Sequence, residues 1–178
     1  MIDNLKDYPR PYLGPCICID PGVHVGISFF KSGKNEPAAW ADILSDARSL
    51  ESTRWLENCD SVIWKLKIYL QSAASEHGIP QLSPVFIEEP RFQNTHTGFK
   101  SAASQSLTKL VMQFGRIWEL VRSFQYKPVA VPIVTYKGQM QKVQVQHRIK
   151  RAIGLDISTM EHAADAVAIG LFMRGKFK

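Results

Sequence analysis

Four side chains able to bind a hard metal ion or move a proton stand at the ends of predicted elements. Asp20 closes the apolar run Cys16–Ile19 and precedes Pro21-Gly22. Glu88, followed by Glu89, closes the stretch "SPVFIEEP". His162 and Asp165 lie three residues apart in "EHAADAVAIGLFM", a spacing that puts both on one helix face. Taken singly, each has an ordinary explanation. Asp before Pro-Gly is a common turn residue, a Glu pair at a strand end faces water, and a lone His on an Ala-rich helix is a cap or a surface residue. Together they point to chemistry. If the strands of Asp20 and Glu88 are parallel neighbours, their carboxylates converge where open α/β sheets gather ligands. Converging carboxylates repel one another, and hard divalent cations such as Mg²⁺ or Mn²⁺, which take oxygen ligands, hold such groups together. Two ions roughly 3.5–4 Å apart stabilise both the attacking and the leaving oxygen in phosphodiester cleavage.

The elements that must position these groups are legible in the pattern. "CICIDPGVHVGISFF" predicts a hairpin: Val23, Val25, Ile27 and Phe29 alternate with His24, Gly26 and Ser28. "PAAWADI" predicts a third antiparallel strand after the turn "SGKNE". Leu56, Cys59, Ile63, Leu66 and Leu70 predict a long helix, capped by Asp46 or Ser49 and stopped by Gly78-Ile79-Pro80. A short strand ending in Glu88 follows, then the polar loop "RFQNTHTGFKS". A second helix runs from about Ala102 to Phe124, with its stripe at Leu107, Leu110, Val111, Phe114, Ile117, Trp118 and Val121. "KPVAVPIV" reads as a buried strand ended by Pro132, "TYKGQMQK" as a loop, Val143–Ile153 as a basic helix and Glu161–Met173 as a helix rich in small residues. Hairpins first and βαβ units afterwards predict an α/β fold: a mixed sheet with helices on both faces. Ala163, Ala164, Ala166, Ala168 and Gly170 would let the last helix lie close against that sheet.

The chain has 178 residues, the size of one domain, and no internal repeat. Residues 1–14 read as a flexible arm and residues 15–178 as a single domain. A net charge of +6 makes a polyanionic partner plausible. Cys16, Cys18 and Cys59 offer no paired spacing, which argues against a disulfide framework or a zinc site and for a reducing compartment. The first residues lack the apolar core of a signal peptide, and no apolar run is long enough to span a bilayer. The expectation is a cytoplasmic protein, in a bacterial cell or a phage-infected host, without membrane contact.

The motifs, in their order, resemble the RuvC-type Holliday junction resolvases of the ribonuclease H-like superfamily. "IDPGVHVGISFF" is similar to that family's first-strand motif, "VFIEEP" to its Ile-Glu strand end, "KVQVQHRI" to its Lys-x-Gln-Val-Gln helix start and "HAADAVAIGLFM" to its final helix. The likeness runs from about Cys16 to Met173. It implies a ribonuclease H-like five-stranded sheet and a metal-dependent endonuclease, a homodimer that resolves four-way DNA junctions by paired symmetric nicks. Residue by residue, it implies that Asp20, Glu88, His162 and Asp165 are catalytic and hold two Mg²⁺ or Mn²⁺ ions, with Asp20 shared between them. Many members have Asp at position 162 and some have His; imidazole suits Mn²⁺ better than the oxygen-seeking Mg²⁺, which leaves the choice of metal open and His162 either a weak ligand or a contact to the nucleophile or phosphate. Glu161 is a substitute that points about 100° away round the helix. The short loop "TYKGQMQK" resembles that of phage and mitochondrial relatives, which implies a phage-encoded member. Phe92 stands near the family's aromatic wedge position, and the helix near Leu110, Phe114 and Trp118 corresponds to its dimer interface.

Residues Ser123–Leu155 contain no acid, yet hold Lys127, Lys137, Lys142, Arg148, Lys150 and Arg151 besides His147. That asymmetry suits phosphate contacts, which give affinity without reading sequence. Lys137 and Lys142 flank the expected active site and match the family's basic DNA contacts. Arg91, Phe92, His96 and Lys100, in the loop after Glu88, are further candidates. Two other readings compete: a branched-DNA-binding module without catalysis, and an actin-like phosphotransferase that holds nucleotide phosphates with "DPGVHVG".

Overall fold

A computed structural model describes residues 4–45, 55–90 and 101–177. The hairpin forms as expected. Strand β1 (Cys16–Asp20) pairs antiparallel with β2 (Val25–Phe30), in a register running from Cys16 opposite Phe30 to Asp20 opposite Gly26. Strand β3 (Ala39–Ile43) continues the meander on β2. Strand β4 (Pro84–Glu89) runs parallel to β1, and β5 (Lys127–Pro132) parallel to β4. The sheet order is β3-β2-β1-β4-β5. The helices are α1 (Trp55–His77), α2 (Ser101–Ser123), the single turn α3 (Ile133–Tyr136), α4 (Lys142–Ile153) and α5 (Glu161–Met173).

Strand alternation sorts the core into two halves. Ile17, Ile19, Val25, Ile27, Phe29, Val85 and Ile87 meet Val62, Leu66 and Leu70 of α1 and Ile117 and Val121 of α2. Cys16, Cys18, Phe30, Phe86, Val129 and Val131 face the other way, toward α4 and α5. β1 reads as an unbroken apolar run because it lies mid-sheet and is covered on both sides.

Contact between α5 and β2 is backbone-close. A β-carbon on Gly26 would lie 1.9 Å from the His162 carbonyl oxygen, and one on Gly170 would lie 2.0 Å from the Phe30 ring. Between them, the Ser28 hydroxyl donates to the Ala166 carbonyl at 3.0 Å. Small residues on both partners therefore set how near the last helix comes to the sheet.

Two local expectations need correction. On α1 the buried stripe is Trp55, Cys59, Val62, Leu66, Leu70 and Ala73, while Leu56 is exposed and Ile63 half-buried. Trp55 and Leu56 are both apolar, and the large indole of Trp55 takes the inward position. "TYKGQMQK" is not wholly a loop, because Thr135 and Tyr136 belong to α3. The caps expected at Asp46 or Ser49 lie outside the described residues.

The segment read as a flexible arm makes specific contacts over its described part. Tyr8 and Tyr12 meet the Phe86 ring edge-on, with centroids 5.5 and 5.8 Å away. The fully buried Arg174 donates to the carbonyls of Tyr12 (2.7 Å) and Lys31 (3.0 Å), and the Tyr12 amide donates to the Met173 carbonyl. Among the described residues, no helix is long and apolar enough to cross a membrane.

Candidate active site

Parallel pairing of β1 with β4 aligns Ile19 with Ile87. Asp20 and Glu88 are the next residue on each strand, so they stand side by side at the carboxyl ends. Alternation places both on the face of Cys18 and Phe86, the face that α5 covers. Helix α5 then brings Asp165 and His162 over them. Asp20 and Asp165 are buried and Glu88 is partly so. The His162 Nδ1 lies 3.7 Å from Asp20 Oδ2. The start of α5 is tied down twice: its Ala163 amide donates to Asp42 Oδ1 (2.5 Å), and Glu161 pairs with Lys142 (2.8 Å).

The charges show how crowded the site is. Burial, and then the neighbouring Asp20 charge, push the Glu88 carboxyl up to about 8, against the opposing hydrogen bond from Tyr136 and charge of Lys137. Burial and Asp20 also raise Asp165, while Lys137 and Lys142 pull it down. Acids gathered out of water resist ionising together.

Three neighbours escaped the sequence reading in these roles. The Tyr136 hydroxyl donates to Glu88 Oε2. Lys137, read as a DNA contact, points inward and pairs with Asp165 Oδ2 at 2.6 Å, with both side chains buried or nearly so. The helical turn of α3 gives Tyr136 and Lys137 this inward aim, and a loop reading of "TYKGQMQK" concealed it. His24, seen only as a hairpin alternation, accepts the Ser45 amide at Nδ1 (3.0 Å) and meets the His162 ring edge-on at 5.3 Å. Burial, and then His162, lower the His24 pKa.

The other basic candidates lie along α4. Lys142 pairs with Glu161, and Lys150 with Asp156 at 2.9 Å. Acids just past the acid-free interval thus answer part of its charge. The Arg148 guanidinium lies 5.9 Å from the Phe177 ring centroid. Met140, Gln144, His147, Arg148, Lys150 and Arg151 line an open groove of about 700 Å³. Arg91, Phe92, His96 and Lys100 lie outside the described residues.

Among the described residues, no three His, Cys, Asp or Glu side chains are placed to hold a metal ion as they stand. Two of the acids are engaged by Lys137 and Tyr136. The donor chemistry nonetheless fits a hard divalent cation: the acids are oxygen donors, and Asp165 keeps Oδ1 buried without a hydrogen-bond partner.

The strand order and connections give the chain a ribonuclease H-like α/β fold like that of RuvC. Solved structures of RuvC from Thermus thermophilus share it. One aligns with a TM-score of 0.60 at 18% identity, covering 89% of this chain and 92% of that chain. Another, in complex with a Holliday junction substrate, aligns with a TM-score of 0.60 at 16% identity, covering 89% and 91%. No protein-family model matches the sequence, and no curated protein does.

Proposed function

We propose that the chain is a structure-selective DNA endonuclease that resolves four-way junctions by paired nicks. The observation that carries this is the meeting of Asp20, Glu88 and Asp165, from three separate elements, at the carboxyl end of a RuvC-type sheet. Asp20, Glu88 and Asp165 would hold Mg²⁺ or Mn²⁺, two ions per site, with His162 as a further donor. When bound, such ions act as Lewis acids toward the scissile phosphate and its attacking and leaving oxygens. The protein's own part is to shield and orient. β1 and β4 fix Asp20 and Glu88, α5 carries Asp165 and His162 as one rigid unit, and Tyr136 holds one Glu88 oxygen. Arg148, Lys150 and Arg151 on α4, with Lys142, would bind the backbone phosphates of the junction arms; Arg91, Phe92, His96 and Lys100 remain proposed contacts.

Two opposed strands must be cut, so the reading includes a two-fold homodimer. Helix α2 supports it: Val111 and Met112 are exposed, and Phe114 and Trp118 are half-buried beside an open groove of about 720 Å³. The proposed setting is the cytoplasm of a bacterial cell or phage-infected host.

The test compares cleavage of synthetic four-way, three-way, flap and linear duplex DNA with Mg²⁺ or Mn²⁺, using the intact protein and Asp20→Asn. Selective, metal-dependent nicking of the four-way substrate, lost in Asp20→Asn with binding retained, is expected. Intact junctions under both metals would sink the catalytic reading. A second reading, a junction-binding module without catalysis, draws on the engagement of Asp165 by Lys137. It expects salt-sensitive binding indifferent to metal and to loss of the acids.

A further inference from the structure

Tyr136 and Lys137 are consecutive, yet each engages a different acid. The Tyr136 hydroxyl donates to Glu88, and the Lys137 ammonium sits 2.6 Å from Asp165 Oδ2. This is no surface ion pair: the side chains of Lys137 and Asp165 are 12% and 5% exposed. The Lys142–Glu161 pair nearby is 45% and 62% exposed. Asp165 has its second oxygen, Oδ1, buried and unpartnered. A buried carboxylate must be paired or neutral, and within this site the paired cation comes from the chain itself.

We propose that Lys137 is an internal counter-ion that competes with a divalent cation for Asp165. The inference rests on Asp165 being a metal ligand, as in the proposed function. The competition follows from charge and space. An ion bound by Asp165 would bring two positive charges against the Lys137 ammonium in a poorly solvated site, where repulsion is strong. Lys137 must then leave, and its departure opposes metal binding. Lys142, already in water, imposes no comparable barrier. Lys137 holds Asp165 and Tyr136 holds Glu88, so two ligands are spoken for from one helical turn.

The probe is Mn²⁺ alone, with free ion counted by electron paramagnetic resonance during titration of the full chain. Lys137→Met and Lys137→Gln are expected to bind Mn²⁺ about tenfold more tightly than the native protein, a change worth about 1.4 kcal/mol. Tyr136→Phe, which keeps the ring, gains less. Asp165→Asn added to Lys137→Met is expected to erase the gain. Thermal melts give a second readout that does not need a well-folded metal-free variant: Mn²⁺ should raise the midpoint of Lys137→Met by more than that of the native chain. Equal or weaker binding by both Lys137 variants, while Asp20→Asn binds less Mn²⁺ than the native protein, overturns the counter-ion and leaves the nuclease reading standing. No Mn²⁺ binding by any of these chains overturns both.

Discussion

The two faces of the sheet solve different problems. Toward α1 and α2 the strands present Ile17, Ile19, Val25, Ile27 and Phe29, bulky side chains that fill volume. Toward α5 they present Cys16, Cys18, Gly26, Ser28 and Phe30, and the helix answers with alanines and Gly170. The first face holds the molecule together by apolar area. The second also gives up side-chain bulk, at Gly26 and Gly170, to bring two backbones together. Proximity of this kind carries Asp165 and His162 to within reach of Asp20. Both sides bury apolar side chains, but the close backbone approach that sets the site belongs to the α5 side alone, and substitutions at that approach should differ in kind from those on the α1 and α2 side.

On the proposed function, and outside the acids themselves, the largest effect on cleavage is expected from Gly26→Ala. Its methyl group would collide with backbone, not with a flexible side chain. Helix α5 must shift, and a misplacement of about 1 Å can cost roughly 100-fold in rate; junction cleavage by the purified variant, beside its melting curve, measures this. Leu66→Ala on the opposite face should remove about 2–5 kcal/mol of stability, yet leave cleavage at permissive temperature within a few-fold. A result in which both variants lose activity and stability in parallel would break the division of labour.

A third prediction uses pH. Glu88 binds its proton more tightly in the folded chain, with its carboxyl raised from 4.5 to about 8, and Asp165 shifts the same way. The stability this contributes is complete below about pH 4.5 and is lost as pH rises through about 8. The melting midpoint of metal-free protein should therefore fall across that window. Glu88→Gln should flatten the slope, whereas Leu66→Ala should lower the whole curve without flattening it. The smallest effect is expected from Ser28→Ala, which strips one buried hydrogen bond from the Ala166 carbonyl. About 1–2 kcal/mol in chemical denaturation is the expected loss, with cleavage nearly intact.

Much of this was readable from residue types and spacing. The hairpin and the helix on Glu161–Met173 follow from period and punctuation, whereas the parallel approach of β4 enters only as a condition and the grouping of the acids comes with the family resemblance. Those signals are local, or depend on a topology with few alternatives. What the sequence hides is of another kind. The inward pairing of Lys137 is concealed because a run without acids looks like an open basic surface. Its partner, Asp165, lies 28 residues away and meets it only after α3 turns the lysine inward. Asp156 and Glu161, just past the same run, pair with Lys150 and Lys142. The face of α1 slipped because Leu56 and Trp55 are both apolar, and packing rather than periodicity chose between them. His24 and Asp42 carried no local mark, since each acquires its role from an element distant in sequence.

The anchoring of α5 also bears on how the protein comes into being. Asp42 receives the amide of Ala163 from 121 residues further along the chain. At synthesis rates of about 5–20 residues per second, strand β3 waits roughly 6–24 s for the helix it will hold. Until then the groove over Gly26, Ser28 and Phe30 stands open, and Asp20 and Glu88 lack their third acid. On the proposed function, a nascent chain near DNA is harmless, and cutting becomes available only once α5 has left the ribosome and docked.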